Sequence, residues 1–131
     1  MTQAERDGWV VVTVSGEMDL ISSPAVRQKV HDAVADGRRS VVLDLAAVRF
    51  CDSSGVGVLI GARRLMRSCA GRLRIVLPDD DPAGRDRSFD EGYGGGAHVN
   101  RVLAALGVRR LFEVFPDLVA ATDDTARPLS A

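Results

Sequence analysis

The order of apolar runs along this chain predicts an α/β fold: a mostly parallel sheet of four to five strands with an N-terminal edge hairpin and about four helices. Short Val-, Ile- and Leu-rich runs alternate with stretches whose apolar residues recur at helical spacing. One run, Val41-Val42-Leu43-Asp44-Leu45, is nearly continuous, as suits a strand covered on both faces of a parallel sheet. Strand–helix–strand order then requires right-handed crossovers. With 131 residues, 46% of them apolar and few aromatic, the chain suffices for one domain with an aliphatic core.

The elements follow in order. Trp9-Val10-Val11-Val12-Thr13-Val14-Ser15 is a β-branched run after the turn dipeptide Asp7-Gly8, and the residues before that turn pair back as an edge strand. Ser22-Ser23-Pro24 starts a helix, with Ser23 suited to cap it and Pro24 to its first position. Val26, Val30, Ala33 and Val34 form its apolar face, and Gly37 is placed to end it. Beyond the Val41–Leu45 strand, Val58, Ala62, Leu65, Met66 and Cys69 mark a second helix, stopped at Gly71. Leu73-Arg74-Ile75-Val76-Leu77 is the next strand, ended by Pro78. From Asp79 to Gly96 the pattern collapses into acidic, Arg and Gly residues, which predicts a flexible inserted loop. Val99, Val102, Leu103 and Leu106 restore helical spacing up to Gly107; Leu111–Phe115 is a last strand and Pro116–Thr122 a short helix. The domain thus runs over 1–122, with 123–131 a tail.

Composition narrows the functional classes. A net charge of -1 offers no basic surface for neutralising phosphates, so nucleic acid is not an expected partner. No run approaches the roughly 18 apolar residues of a membrane span, and the N-terminus Met1–Arg6 has acidic and polar residues where a signal peptide needs an apolar stretch, so the expected location is cytoplasmic with no membrane partner. Cys51 and Cys69 lack metal-ligand spacing and sit in apolar surroundings, which makes both packing residues. His31 and His98 have no spaced companions, so no metal site is expected. The Gly-x-Ser-x-Gly elbow of a hydrolase is absent, and Gly92–Gly96 lacks the Lys-Ser/Thr ending of a phosphate loop; the chain is not expected to be an enzyme.

The informative segment is Phe50-Cys51-Asp52-Ser53-Ser54-Gly55-Val56-Gly57, which sets two hydroxyls between a buried strand and an amphipathic helix. A helix N-terminus carries unpaired N–H groups and a partial positive charge, so it takes a capping oxygen or an anion. Asp52 or Ser54 can cap while Ser53 points outward, and a phosphate on Ser53 would be tolerated without unfolding the helix. It would add about -1.5 to -2 charges to any surface contacting the turn. Gly55 and Gly57 remove side chains there and permit close approach by another backbone. Spacing alone does not distinguish a cap from a modified residue.

Three motifs at suitable distances add to this: Gly16-Glu17-Met18-Asp19, then Val42-Leu43-Asp44-Leu45, then Asp52-Ser53-Ser54-Gly55-Val56-Gly57. Together they resemble the STAS family of bacterial anti-sigma-factor antagonists, over residues 3–78 and 97–121. The resemblance implies a STAS fold and makes Ser53, rather than Ser54, the phosphorylation site. It implies that the acceptor is modified by the anti-sigma factor, itself a serine kinase. The unphosphorylated form would bind that kinase and release the sigma factor, and a PP2C-type phosphatase would restore it. Asp19 would contact the partner, while Asp52, Ser54 and Gly55 frame the acceptor within the partner-binding surface. Magnesium and ATP would belong to the kinase, leaving no cofactor here. The Asp79–Gly96 insertion departs from the short connection usual in the family and leaves the partner's identity open; the alternative is a STAS scaffold or regulatory subunit in another partner-switching or stress-sensing complex.

Overall fold

Asp7 and Gly8 both hold positive φ, 52° and 86°, the backbone twist that joins two antiparallel strands through a two-residue turn. That turn connects β1 (Thr2–Arg6) to β2 (Trp9–Met18). After them come α1 (Ser23–Ala35), β3 (Ser40–Cys51), α2 (Ser53–Ser68) and β4 (Arg72–Val76). The chain closes with α3 (Ala97–Ala105), a single 3₁₀ turn (Arg109–Leu111), β5 (Glu113–Phe115) and α4 (Leu118–Ala121). This computed structural model describes residues 1–77 and 97–128; the Asp79–Gly96 loop expected from the sequence lies outside the described residues. Sheet order follows chain order, β1-β2-β3-β4-β5, and every pairing after the first is parallel.

Side-chain alternation sorts the core into two layers. Val10, Val12 and Val14 of β2, with Val41, Leu43 and Leu45 of β3 and Ile75 of β4, face α1, α2 and α3. Trp9, Val11, Val42, Val76 and Phe115 face the other way, against Ala121 of α4. The continuous apolar run in β3 is therefore buried on both sides. On the α4 face the guanidinium carbon of Arg74 lies 4.6 Å from the Trp9 ring and 4.6 Å from the Phe115 ring. Its Nη1 donates to the carbonyls of Ala121, at 3.1 Å, and Asp123, at 2.8 Å. Trp9 Nε1 donates to Asp124 Oδ1 at 3.3 Å. Residues 123–126, which the sequence places in the tail, thus dock on this face, and Ala126 packs against its apolar cluster.

Element boundaries differ from expectation where tertiary contacts decide them. β2 and β3 run on to Met18 and Cys51, paired across two register shifts around Gly16, whose φ is +81°. The stop after α2 also differs. Ala70, with φ +59°, takes the left-handed position, while Gly71 is needed because a Cβ there would lie 2.5 Å from Met66 Cε and 3.0 Å from the Arg39 carbonyl. Leu111 belongs to the 3₁₀ turn and β5 is three residues long. Gly37 and Gly107 do end α1 and α3 in positive φ, as their positions suggest.

Candidate functional site

The extension of β2 and β3 brings two of the sequence motifs side by side. Met18 pairs with Cys51 at the carboxyl ends of adjacent parallel strands, and the Asp52 amide donates to the Met18 carbonyl at 3.2 Å. Open α/β sheets present their functional loops at such an edge.

Asp52 is the N-cap of α2. Its Oδ1 accepts from the Ser54 amide at 2.8 Å and from the Gly55 amide at 3.1 Å, and its carbonyl accepts from Val56. This settles the capping alternative: Asp52 caps and Ser54 does not. Ser53, the first residue of the helix, is exposed, and its hydroxyl has no hydrogen bond among the described residues. An anion on Ser53 would still feel the helix dipole, but the Ser54 and Gly55 amides already serve the Asp52 carboxylate.

Gly55 is buried, which changes the reason expected for it. A Cβ would stand 2.5 Å from the Met18 carbonyl oxygen and 2.7 Å from Cys51 Sγ. The missing side chain thus serves the close approach of the chain's own β2, not of a second molecule. Cys51 lies in the core, and burial, aided by the charge of Asp52, pushes its thiol up to about 11.

Asp19 turns its carboxylate into its own loop. Oδ1 accepts from the Ser22 amide at 2.9 Å, the Ser22 hydroxyl at 3.0 Å and the Ile21 amide at 3.0 Å. These bonds, the Ser22 amide foremost, hold its pKa below the ordinary carboxylate value. Ser22, not Ser23, is the residue flanking α1, and its hydroxyl lies within 2.7 Å of the Glu17 carbonyl rather than capping the helix. The loop so fixed presents Leu20 and Ile21 to solvent, 72% and 86% exposed. Sequence reasoning singled out Asp19 but not the two apolar residues it displays.

On the other side of the turn, Phe50 is half exposed and stacks on His98 of α3, ring centroids 5.3 Å apart. His98 Nε2 lies 3.3 Å from the Cys51 carbonyl, which can only accept, so that nitrogen carries the proton. The chain therefore assembles Asp52, Ser53 and Ser54 with Leu20, Ile21 and Phe50 at one end of the sheet. Among the described residues no group of three His, Cys, Asp or Glu side chains converges there or elsewhere. No described helix is long and apolar enough to cross a membrane.

Residues 1–86 match the family model for the STAS domain. The chain belongs to the STAS domain family. Anti-sigma-F factor antagonist RsfB of Mycobacterium tuberculosis is 37% identical over 59 residues, 45% of this chain and 48% of that protein. The anti-sigma-B factor antagonist of Bacillus subtilis is 30% identical over 73 residues, 56% of this chain and 64% of that protein. The matches thus span about half to two thirds of the length of these curated relatives. The crystal structure of an anti-sigma factor antagonist from Mycobacterium paratuberculosis superposes with a TM-score of 0.71 at 28% identity, covering 92% of this chain and 87% of that one. The five-stranded sheet with its flanking helices is accordingly the STAS fold.

Proposed function

We propose that this STAS domain is an anti-sigma-factor antagonist that acts by binding and is switched by phosphate on Ser53. The observation that carries the reading is the exposed Ser53 hydroxyl at the start of α2, without a hydrogen bond among the described residues, with the solvent-facing Leu20 and Ile21 on the loop that follows the adjoining strand. Exposed apolar side chains such as these are what a protein partner buries in the core of an interface. The relatives named above, called antagonists of anti-sigma-F and anti-sigma-B factors, support that kind of partner.

In the unmodified form the face around Asp52, Ser53 and Ser54 docks on an anti-sigma factor that is a serine kinase, and the sigma factor is released. Asp19 contributes by holding the Leu20–Ile21 loop in place. The kinase transfers the γ-phosphoryl group of ATP to Ser53 Oγ, and a PP2C-type phosphatase removes it by hydrolysis. A dianion placed next to the Asp52 carboxylate in a close-packed interface is poorly solvated and repelled. A penalty of about 3 kcal/mol corresponds to roughly a hundredfold loss of affinity.

The test combines labelling with binding. Purified anti-sigma kinase and radiolabelled ATP should label wild type on Ser53 by phosphopeptide mapping, and Ser53→Ala should take up none. Calorimetry should show Ser53→Ala binding the kinase and Ser53→Asp or Ser53→Glu binding it far more weakly. Equal labelling of Ser53→Ala, or equal binding by all three, rejects the switch.

A further inference from the structure

Helix α2 carries glycine at 55, 57 and 61, and they differ in their surroundings. Gly55 is required by contact with Met18 and Cys51. Gly57 and Gly61 are exposed, their φ values lie outside the left-handed region, and a Cβ built on either meets nothing within 4 Å. Glycine inside a helix is less stable than alanine, so neither the backbone nor the chain's own packing accounts for these two. Four residues apart, they share one face. Both line an open groove of about 240 Å³ between α1 and α2, together with Leu20, Ser23, Arg27 and Ser54.

A second observation is independent of the glycines. Ser23 is 2% exposed, lines the same groove, and its hydroxyl has no hydrogen-bond partner among the described residues. Buried hydroxyls are nearly always bonded, so the described residues leave this one short of a partner. Among the described residues, Arg27 is the only ionisable one lining the groove, and no ion pair includes it.

We infer that the anti-sigma partner docks a segment of its chain in this groove, its backbone crossing Gly57 and Gly61 and a carboxylate facing Arg27. Missing Cβ atoms at two successive turns favour a polypeptide backbone, which can approach the helix closely and offer its amide or carbonyl to Ser23 once that hydroxyl, covered in the free chain, turns toward the groove. Ser54 forms part of the same wall, so the occupant sits beside the Ser53 turn and a phosphate there meets it directly. This rests on the function proposed above and assigns that partner its seat.

The experiment uses the full chain and a purified anti-sigma serine kinase that binds wild type. Gly57→Ala/Gly61→Ala should raise the Tm and yet weaken kinase binding at least tenfold by calorimetry. Gly61→Gln should weaken it further. Arg27→Glu should lose binding to a similar degree while Arg27→Lys keeps most of it, and Arg64→Glu, on an exposed position of α2 outside the groove, should bind as wild type. Wild-type affinity in both the double-alanine and Arg27→Glu variants overturns the groove and leaves the proposed function standing. A fall in Tm in the double-alanine variant also overturns it, because the glycines would then serve the fold. Failure of wild type to bind any anti-sigma kinase rejects the proposed function, and the groove assignment with it.

Discussion

Gly55 and Gly57 stand two residues apart in α2 under opposite constraints. A methyl group at 55 meets the Met18 carbonyl at 2.5 Å and must displace a strand; one at 57 enters open space. Gly55→Ala should therefore cost about 1–3 kcal/mol, typical of overpacking. Gly57→Ala should gain about 0.5–1 kcal/mol from helix propensity; urea titration of both measures the opposite signs. Asp52→Ala removes a cap that holds two amides and should cost about 1 kcal/mol. The Cys51 thiol, raised to about 11, should resist alkylation at pH 8 in the folded protein. Its native pKa lies above the ordinary 9.0, so its contribution to stability is complete below pH 9 and is lost as pH rises through 11. The cap was legible in the sequence as a choice between Asp52 and Ser54, because only coordinates show which oxygen reaches the amides. The need for Gly55 was not legible, since its obstacle, Met18, is 37 positions away in sequence.

At the level of elements, the Asp19 loop and the end of α2 show how backbone is fixed locally. Asp19 has a native pKa below its ordinary 3.8. The ionised form is favoured by folding, so its support is present above about pH 4 and is lost as pH falls through the native value. Protection factors at Ile21 and Ser22, with the intrinsic pH dependence of exchange divided out, should fall over that acid range in wild type and stay level in Asp19→Asn. At the end of α2, Ala70 holds φ +59° where glycine is unstrained. Ala70→Gly should stabilise the chain by about 1 kcal/mol, read as a higher urea midpoint. The helices were legible because Val26, Val30 and Ala33, or Val58, Ala62 and Met66, repeat at helical spacing. Strand lengths were less so. Beyond Leu45, β3 continues through Ala46, Ala47, Arg49 and Phe50, a mixed stretch kept extended by its register with β2 rather than by its own preference.

For the molecule as a whole, the two faces of the sheet are stabilised differently. Aliphatic residues of three helices cover one, while the other rests on Trp9, Phe115 and the guanidinium of Arg74. The alternation of β4 indicates that Arg74 opposes Ile75, but no local pattern shows that residues 121–124 return to receive it. Removing a buried cation that binds two carbonyls leaves both without their donor. Arg74→Ala should destabilise the fold by about 2–4 kcal/mol and shift Trp9 fluorescence to the red, as the C-terminal residues detach and water reaches the indole.

The bond from the Asp52 amide to Met18, and the tight seat of Gly55 upon it, bolt the Ser53 turn to the neighbouring strand. A turn so held keeps its hydroxyl facing solvent. Under the proposed reading, the signal is then written as charge on an unmoving frame. How long it lasts depends on the turnover of the enzymes that add and remove the phosphate, and not on any relaxation of the domain that carries it.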